Sequence, residues 1–409
     1  MEKKVIFTIC SKNYFAQAKV LGNSIRKYAN DVDFYILLAD EIDGQDLRSE
    51  DFTVIEAKSL NIPGYYDMAF KYDVIEYNTS VKPFFIDILF HEYKYDKVLY
   101  LDPDMALFNS PDLIFGLLDE KDIILTPHLI KPYLEYVGCT SEEELLFVGI
   151  YNLGFIGLKN SEVGRHVAKW WSKKLKDQCF ADKEDALHVD QKWMDFIPSL
   201  YTDYVKILRH PGVNHAFWNM HERNLVDLGS EYTVDGEQLI IFHFSGLNPY
   251  SYQDIAAKQT KFKKTLDDLP QYKRLYDEYV VELFKCDYEY LSKLKYSYNH
   301  YSNGIHIVRY QRRLYRSLVK EGAVFSDPFA TGAGSFYEHL EKNKLMIFDT
   351  DGSINFVRKN LGSEIERKSK ILYRSLKIVK GILGIKRYYL LMKFFAIHSR
   401  FENQTFLLK

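Results

Sequence analysis

From Val5 to Phe244 the chain alternates short apolar runs with stretches of helical periodicity, which restricts it to a layered α/β architecture. Residues 5–10 form the first apolar run, followed by Ser11-Lys12-Asn13-Tyr14 and a helical pattern through Ala16, Val20, Leu21 and Ile25. Residues 34–38 repeat the buried-strand signal, and residues 52–55 suggest another strand. A helix beginning near Ser80 and running through residues 84–90 leads to a strand at 97–101. Residues 123–126, 154–158, 204–208 and 239–244 complete the strand series, with a helix at 163–175. The alternation implies a mixed, mostly parallel sheet with helices on both faces. It stops near residue 252, after which Lys, Tyr and Leu recur at helical spacing. A boundary is therefore expected near 265, dividing an α/β domain at 1–265 from a mainly helical extension at 266–409.

The bulk properties exclude several classes. Apolar residues make up 47% and charged residues 27% of 409, the balance of a globular protein with a real core. A net charge of −2 gives no global field to recruit nucleic acid. Cys10, Cys139, Cys179 and Cys286 form no CxxC pair, which argues against a zinc site or disulfide framework and fits a reducing compartment. The apolar run after Lys3 and Lys4 is too short for a signal sequence, and no stretch reaches the roughly 18 apolar residues of a spanning helix. The expected location is cytoplasmic.

The chemistry concentrates at Asp102-Pro103-Asp104, at the C-terminal end of the strand 97–101. Two carboxylates one residue apart can share a hard cation in the crevice where open α/β sheets bind ligands. The same dipeptide pattern also opens turns and caps helices. The surrounding residues decide between these readings. The run YLDPDMALFNSPD at 100–112 resembles the metal-binding strand of nucleotide-diphospho-sugar glycosyltransferases of the GT-A type. TICSKNY at 8–14, a helix with Lys82, NLGF at 152–155, VDQKW at 189–193 and HFSG at 243–246 resemble, in order, landmarks of glycosyltransferase family 8 and its bacterial polysaccharide relatives.

That resemblance, covering about residues 1–265, implies a GT-A (Rossmann-like) fold and a nucleotide-sugar donor, a UDP-sugar, with a glycan or lipid-linked acceptor and retention of configuration. It implies Asp102, Asp104 and His243 as ligands of Mn²⁺ or Mg²⁺, Mn²⁺ suiting the mixed carboxylate and imidazole set better. Thr8, Cys10, Ser11 and Tyr14 fall where relatives hold the base and ribose, although relatives often carry an aspartate where this chain has Cys10-Ser11-Lys12. Lys82 resembles a donor-contacting base, or is a solvated helix end; Gly246 offers a close backbone approach, or is an ordinary turn. Asn152, Asp190 and Gln191 are placed on the sugar side, with Asp190 also suited to cap a helix at 191–197. Within 210–225, Trp218 is a candidate pyranose platform or a packed aromatic, and Asn214, Asn219, His221 and Arg223 are candidate hydroxyl or phosphate contacts.

Two features stand apart. Asp349-Thr350-Asp351-Gly352 mimics the first acidic pair but reads as a turn, with a return strand at 354–357. From Arg358 onward basic residues outnumber acidic ones and interleave with apolar residues at helical spacing. Lys377, Lys380, Lys386, Arg387 and Lys393 suit an anionic membrane surface, or a packed helix with a solvated basic face. Competing functions are a sugar-phosphate nucleotidyltransferase, disfavoured because residues 8–14 contain no glycine, and a non-catalytic glycan-binding protein on a transferase fold.

Overall fold

A computed structural model describes residues 2–47, 52–257, 262–348 and 363–408. The chain divides into two compact units, Met1–Tyr65 with Val74–Ser297, and Tyr66–Asp73 with Tyr298–Lys409. Residues 266–297, assigned to the extension from sequence, thus group with the first unit. Tyr272, Leu275, Tyr276, Tyr279 and Leu283 of this stretch are buried in its main core.

The first unit is built on a seven-stranded sheet. Its strands are β1 (Lys4–Cys10), β2 (Asp33–Leu38), β3 (Thr53–Glu56), β4 (Lys97–Leu101), β6 (Ile123–Pro127), β7 (Tyr151–Lys159) and Val205–Ile207; a short β5 (Met105–Leu107) lies outside it. The order is Val205–Ile207, β6, β7, β4, β1, β2, β3. All neighbours are parallel except β7, which runs antiparallel to both β4 and β6. The mixed, mostly parallel sheet expected from the apolar alternation is therefore present. Apolar runs such as 5–7, 98–101 and 123–125 are almost fully buried, as sheet strands covered on both faces must be. Helix Glu162–Gln178 is started by Ser161, whose side chain accepts from Gly164 N, and it buries Val167, Ala168, Trp171 and Leu175.

Beyond β4 the chain leaves the main sheet. β5 pairs antiparallel with Ile241–His243, which pairs parallel with His215–Ala216, making a small second sheet. Two local expectations differ in detail. The helix foreseen from near Ser80 is Lys82–His91, and a further helix, Val74–Ser80, precedes it. The segment after Asp190 is a 3₁₀ helix, Gln191–Phe196, whose first turn is not capped by the Asp190 side chain.

The second unit packs helix Arg309–Lys320 and helix Phe336–Lys342 around Phe70, Tyr315, Phe336, Leu340 and Leu408. Arg312 is buried and donates to the carbonyls of Ala69, Phe70, Tyr72 and Tyr298, satisfying backbone acceptors at the end of a short helix. Residues Ser363–His398 form a long helix with non-helical backbone at Gly384, where φ is +70°. Residues 349–352 and the expected return strand 354–357 lie outside the described residues. No described helix is long and apolar enough to cross a membrane.

Candidate active site

The site begins where β4 ends. Asp102 N donates to Gly154 O of β7 at 2.8 Å, and Met105 N donates to Asp102 O at 3.0 Å, so Pro103 sits in a tight turn between two carboxylates. Phe244 N donates to Asp104 O at 2.8 Å, and His243 is opposite Met105 in the small sheet. This pairing brings a residue 139 positions from Asp104 to within reach of it. His243 Nε2 lies 3.0 Å from Asp104 Oδ1 and 3.9 Å from Asp102 Oδ2. Among the described residues, these three form the one group of such side chains whose ligand atoms converge, all within 4.8 Å of one another.

Two further features fit this group to a cation. His243 Nδ1 lies 3.4 Å from Asn214 Oδ1, which can only accept; the proton therefore belongs on Nδ1, leaving the Nε2 lone pair facing the carboxylates. A Cβ added at Gly154 would lie 2.8 Å from Asp102 Oδ2, Asn152 Oδ1 and His243 Cε1, so the cradle exists only because that residue is glycine. Burial works against a charged His243 ring, but Asp104 and Asp102 outweigh it and hold the imidazole pKa above its ordinary value. The field that favours a proton there equally favours a metal ion.

Behind the carboxylates is a buried charge layer. Asp102 Oδ1 accepts from Tyr100 Oη at 2.6 Å. Lys82, 1% exposed, places Nζ 3.8 Å from the Tyr100 ring centre, 2.5 Å from Asp190 Oδ2 and 2.7 Å from Leu153 O. Lys82 is thus a buried cation, and the solvated reading of it does not hold. Burial raises the pKa of both Asp102 and Asp190, with Lys82 opposing the shift in each case. Asp190 leaves its helix uncapped because its carboxylate is committed to Lys82.

The sugar-side candidates are held by hydrogen bonds. Asn152 Oδ1 accepts from Asn214 Nδ2 at 3.0 Å and Gly154 N at 3.2 Å, and its Nδ2 donates to His128 Nε2 at 3.4 Å. Gln191 accepts from Leu153 N at 3.0 Å and donates to Val148 O at 2.8 Å, tying the 3₁₀ helix to β7. Asn214 sits at φ +54°, a left-handed conformation that asparagine tolerates. Trp218 is 6% exposed, edge-on to the His128 and His243 rings, so it packs rather than presenting an open pyranose platform. Arg223 is buried on the carbonyls of Pro211 and Val213, and Asn219 bonds Ala216 N and Asn214 O; both hold the loop instead of facing a ligand.

In the N-terminal group, Thr8, Cys10 and Ser11 are buried and Tyr14 is partly exposed. Burial drives the Cys10 thiol pKa far up, so it stays protonated. Tyr14 lines a narrow slot with Asp104 and Gly246, and Gly246 takes φ +75°. The loop itself is fixed by Asp40, which accepts from Lys12 N at 3.1 Å and Ser297 N at 3.0 Å.

No protein-family model matches the chain. It is 28% identical over 278 residues to the Bacillus subtilis (strain 168) protein YfnF, covering 66% of this chain and 89% of that protein. Among solved structures it is similar to the galactosyltransferase LgtC in complex with donor and acceptor sugar analogs, at 15% identity and TM-score 0.43, over 68% of this chain and 95% of LgtC. It is also similar to the glycosyltransferase GlyE of Streptococcus pneumoniae TIGR4, at 16% identity and TM-score 0.39, over 72% of this chain and 66% of GlyE.

Sequence reading missed His128 and Thr126 at the end of β6. Burial lowers the His128 pKa to about 4, and Ile150 O fixes its Nδ1 proton at 3.1 Å, so the neutral ring accepts from Asn152. Thr126 Oγ1 takes the Asn214 amide at 2.9 Å. A threonine and a histidine flanking a proline carry no chemical signature in one dimension; only the antiparallel insertion of β7 aligns them with the group formed by Asp102, Asp104 and His243.

Proposed function

We propose that this chain is a divalent-cation-dependent, GT-A type glycosyltransferase that moves a sugar, a hexose, from a UDP-sugar to a glycan or lipid-linked acceptor in surface polysaccharide assembly. The observation that carries the reading is the convergence of Asp102, Asp104 and His243 beside a glycine cradle, with Asn214 fixing the imidazole tautomer. A bound Mn²⁺ or Mg²⁺ would neutralise charge developing on the leaving diphosphate. Asp102, Asp104 and His243 supply its ligands. Tyr14 offers a face for the base, while the backbone at Ser245 and Gly246 can approach the diphosphate closely.

Asn152 orients the donor sugar from β7, and Gln191 and Asp190 form the wall opposite the leaving group. Lys82 holds the Asp190 carboxylate in place and acts on the donor through it. Retention by a front-face route suits this arrangement, because the leaving phosphate itself takes the acceptor proton and no side-chain base is needed. The helix Ser363–His398 supports peripheral attachment to the inner face of the cell membrane. Between Ile371 and His398 it carries Arg374, Lys377, Lys380, Lys386, Arg387 and Lys393 and no acidic residue. Its apolar side chains, among them Ile378, Ile382, Ile385, Leu390 and Phe394, are exposed, as a surface-lying helix requires.

The test is calorimetry of UDP, GDP, ADP, CDP and their sugars with and without Mn²⁺. Mn²⁺-dependent binding of one nucleotide, with slow hydrolysis of its sugar, is the expected result. Absence of binding under every condition overturns the transferase and leaves a glycan-binding protein.

A further inference from the structure

Asn214 selects the His243 tautomer only while its own amide points one way, because a flip exchanges oxygen for nitrogen and turns the acceptor into a donor. The contacts that fix its orientation run back to the end of β6. Ile150 O accepts from His128 N at 2.9 Å and lies 3.1 Å from His128 Nδ1. A carbonyl can only accept, so the ring proton is on Nδ1, and burial keeps this ring neutral. His128 Nε2 is therefore an acceptor only. Asn152 must turn its Nδ2 toward it, at 3.4 Å, which leaves Asn152 Oδ1 on the opposite side. There Oδ1 accepts from Asn214 Nδ2 at 3.0 Å, and Gly154 N, a pure donor at 3.2 Å, agrees with the same orientation. Asn214 Nδ2, which also donates to Thr126 Oγ1 at 2.9 Å, is thereby committed to this side, and Asn214 Oδ1 is left to face His243 Nδ1 at 3.4 Å. Each link has one allowed polarity, set by the link before it.

We propose that His128 is a positioning residue for the cation site: acting through Asn152 and Asn214, it sets the orientation in which His243 offers its Nε2 lone pair to the ion. This inference rests on the proposed metal role of His243 and extends it to a residue two amides away on another strand. Outer partners of this kind govern ligand orientation and affinity without touching the metal. Packing is the rival explanation for any effect of His128, since the His128 and His243 rings both meet Trp218 edge-on, with centroids 5.7 and 5.1 Å from it. The two explanations differ in one respect: a relay of hydrogen-bond polarity needs an acceptor at position 128 and an intact Asn214, whereas packing needs only a ring.

The test is a double-mutant cycle on the full chain, read as Mn²⁺ affinity by calorimetry with no nucleotide present. His128→Phe keeps a ring against Trp218 and removes the acceptor, while His128→Gln keeps an acceptor oxygen. His128→Phe should weaken Mn²⁺ binding by roughly 3- to 10-fold, the effect of one hydrogen bond, and His128→Gln should recover most of that loss. In an Asn214→Ala background, where the last link is already cut, His128→Phe should cost nothing further. Wild-type affinity in His128→Phe, a loss that His128→Gln does not recover, or losses that simply add in the double variant overturn the proposal. Should His128→Phe fail to fold, Asn152→Leu cuts the same chain and enters the same cycle, with the same expectation of a loss that vanishes beside Asn214→Ala. Wild-type protein that binds no Mn²⁺ overturns the metal reading itself, so the two failures are distinguishable.

Discussion

His243 is useful to a metal only in one tautomer, and Asn214 chooses it by accepting from Nδ1. Asn214→Ala should therefore weaken Mn²⁺ binding by roughly 10- to 100-fold without touching a ligand, as read by calorimetry. On the proposed function Asp104→Asn should cost at least about 100-fold in Mn²⁺ affinity and abolish turnover, with a melting temperature close to wild type, because the lost oxygen would be a ligand and is not part of the core. Retained turnover would remove the metal role. The pH dependence has a definite sign. Proton and cation compete for Nε2, and the carboxylates hold the His243 pKa above 6.5. Mn²⁺ affinity should consequently rise with pH through that raised value, and His243→Gln should flatten the rise.

At the scale of elements, the antiparallel β7 does most to assemble the site. It sets Asn152 and Gly154 against the end of β4, receives Lys82 through Leu153 O, and receives Gln191 through Leu153 N. Lys82 and Asp190, each about fully buried, join helix Lys82–His91 to the 3₁₀ helix Gln191–Phe196. Removing one partner of such a pair strands the other charge. Lys82→Met should destabilise the fold by about 3–5 kcal/mol in chemical denaturation, and adding Asp190→Leu should recover much of that loss. Equal destabilisation in the double variant would show that the pair is not the cause. The strands themselves were legible because each is a short apolar run; the direction of β7 was not, since residues 154–158 would read alike in either orientation.

For the whole molecule, the C-terminal helix raises a question of attachment. Truncation is a poor probe of it, because the chain continues past the helix to bury Leu408 in the second unit's core and to pair Glu402 with Arg313 and Arg316. Charge reversal is cleaner. Lys377→Glu with Lys380→Glu and Lys386→Glu should lower sedimentation with phosphatidylserine vesicles by at least about 10-fold while leaving sugar-nucleotide hydrolysis in solution intact, since each basic residue near such a surface contributes roughly 1 kcal/mol. Unchanged sedimentation would remove the membrane role.

The amino-acid sequence alone determined the layered α/β class and the main strands of the first unit, which are encoded in local periodicity; the acidic pair and its partner histidine were singled out through the resemblance of their surrounding motifs to a transferase family. Tertiary structure alone decided that Lys82 is buried on Asp190, that Trp218, Asn219 and Arg223 hold a loop, and that Tyr279, from a stretch assigned to the extension, reaches the slot beside Asp104. The reason is physical: burial and hydrogen-bond partnership depend on contacts between residues tens to hundreds of positions apart. A lysine, tryptophan or tyrosine has the same local signature whether it meets solvent, a core or a ligand.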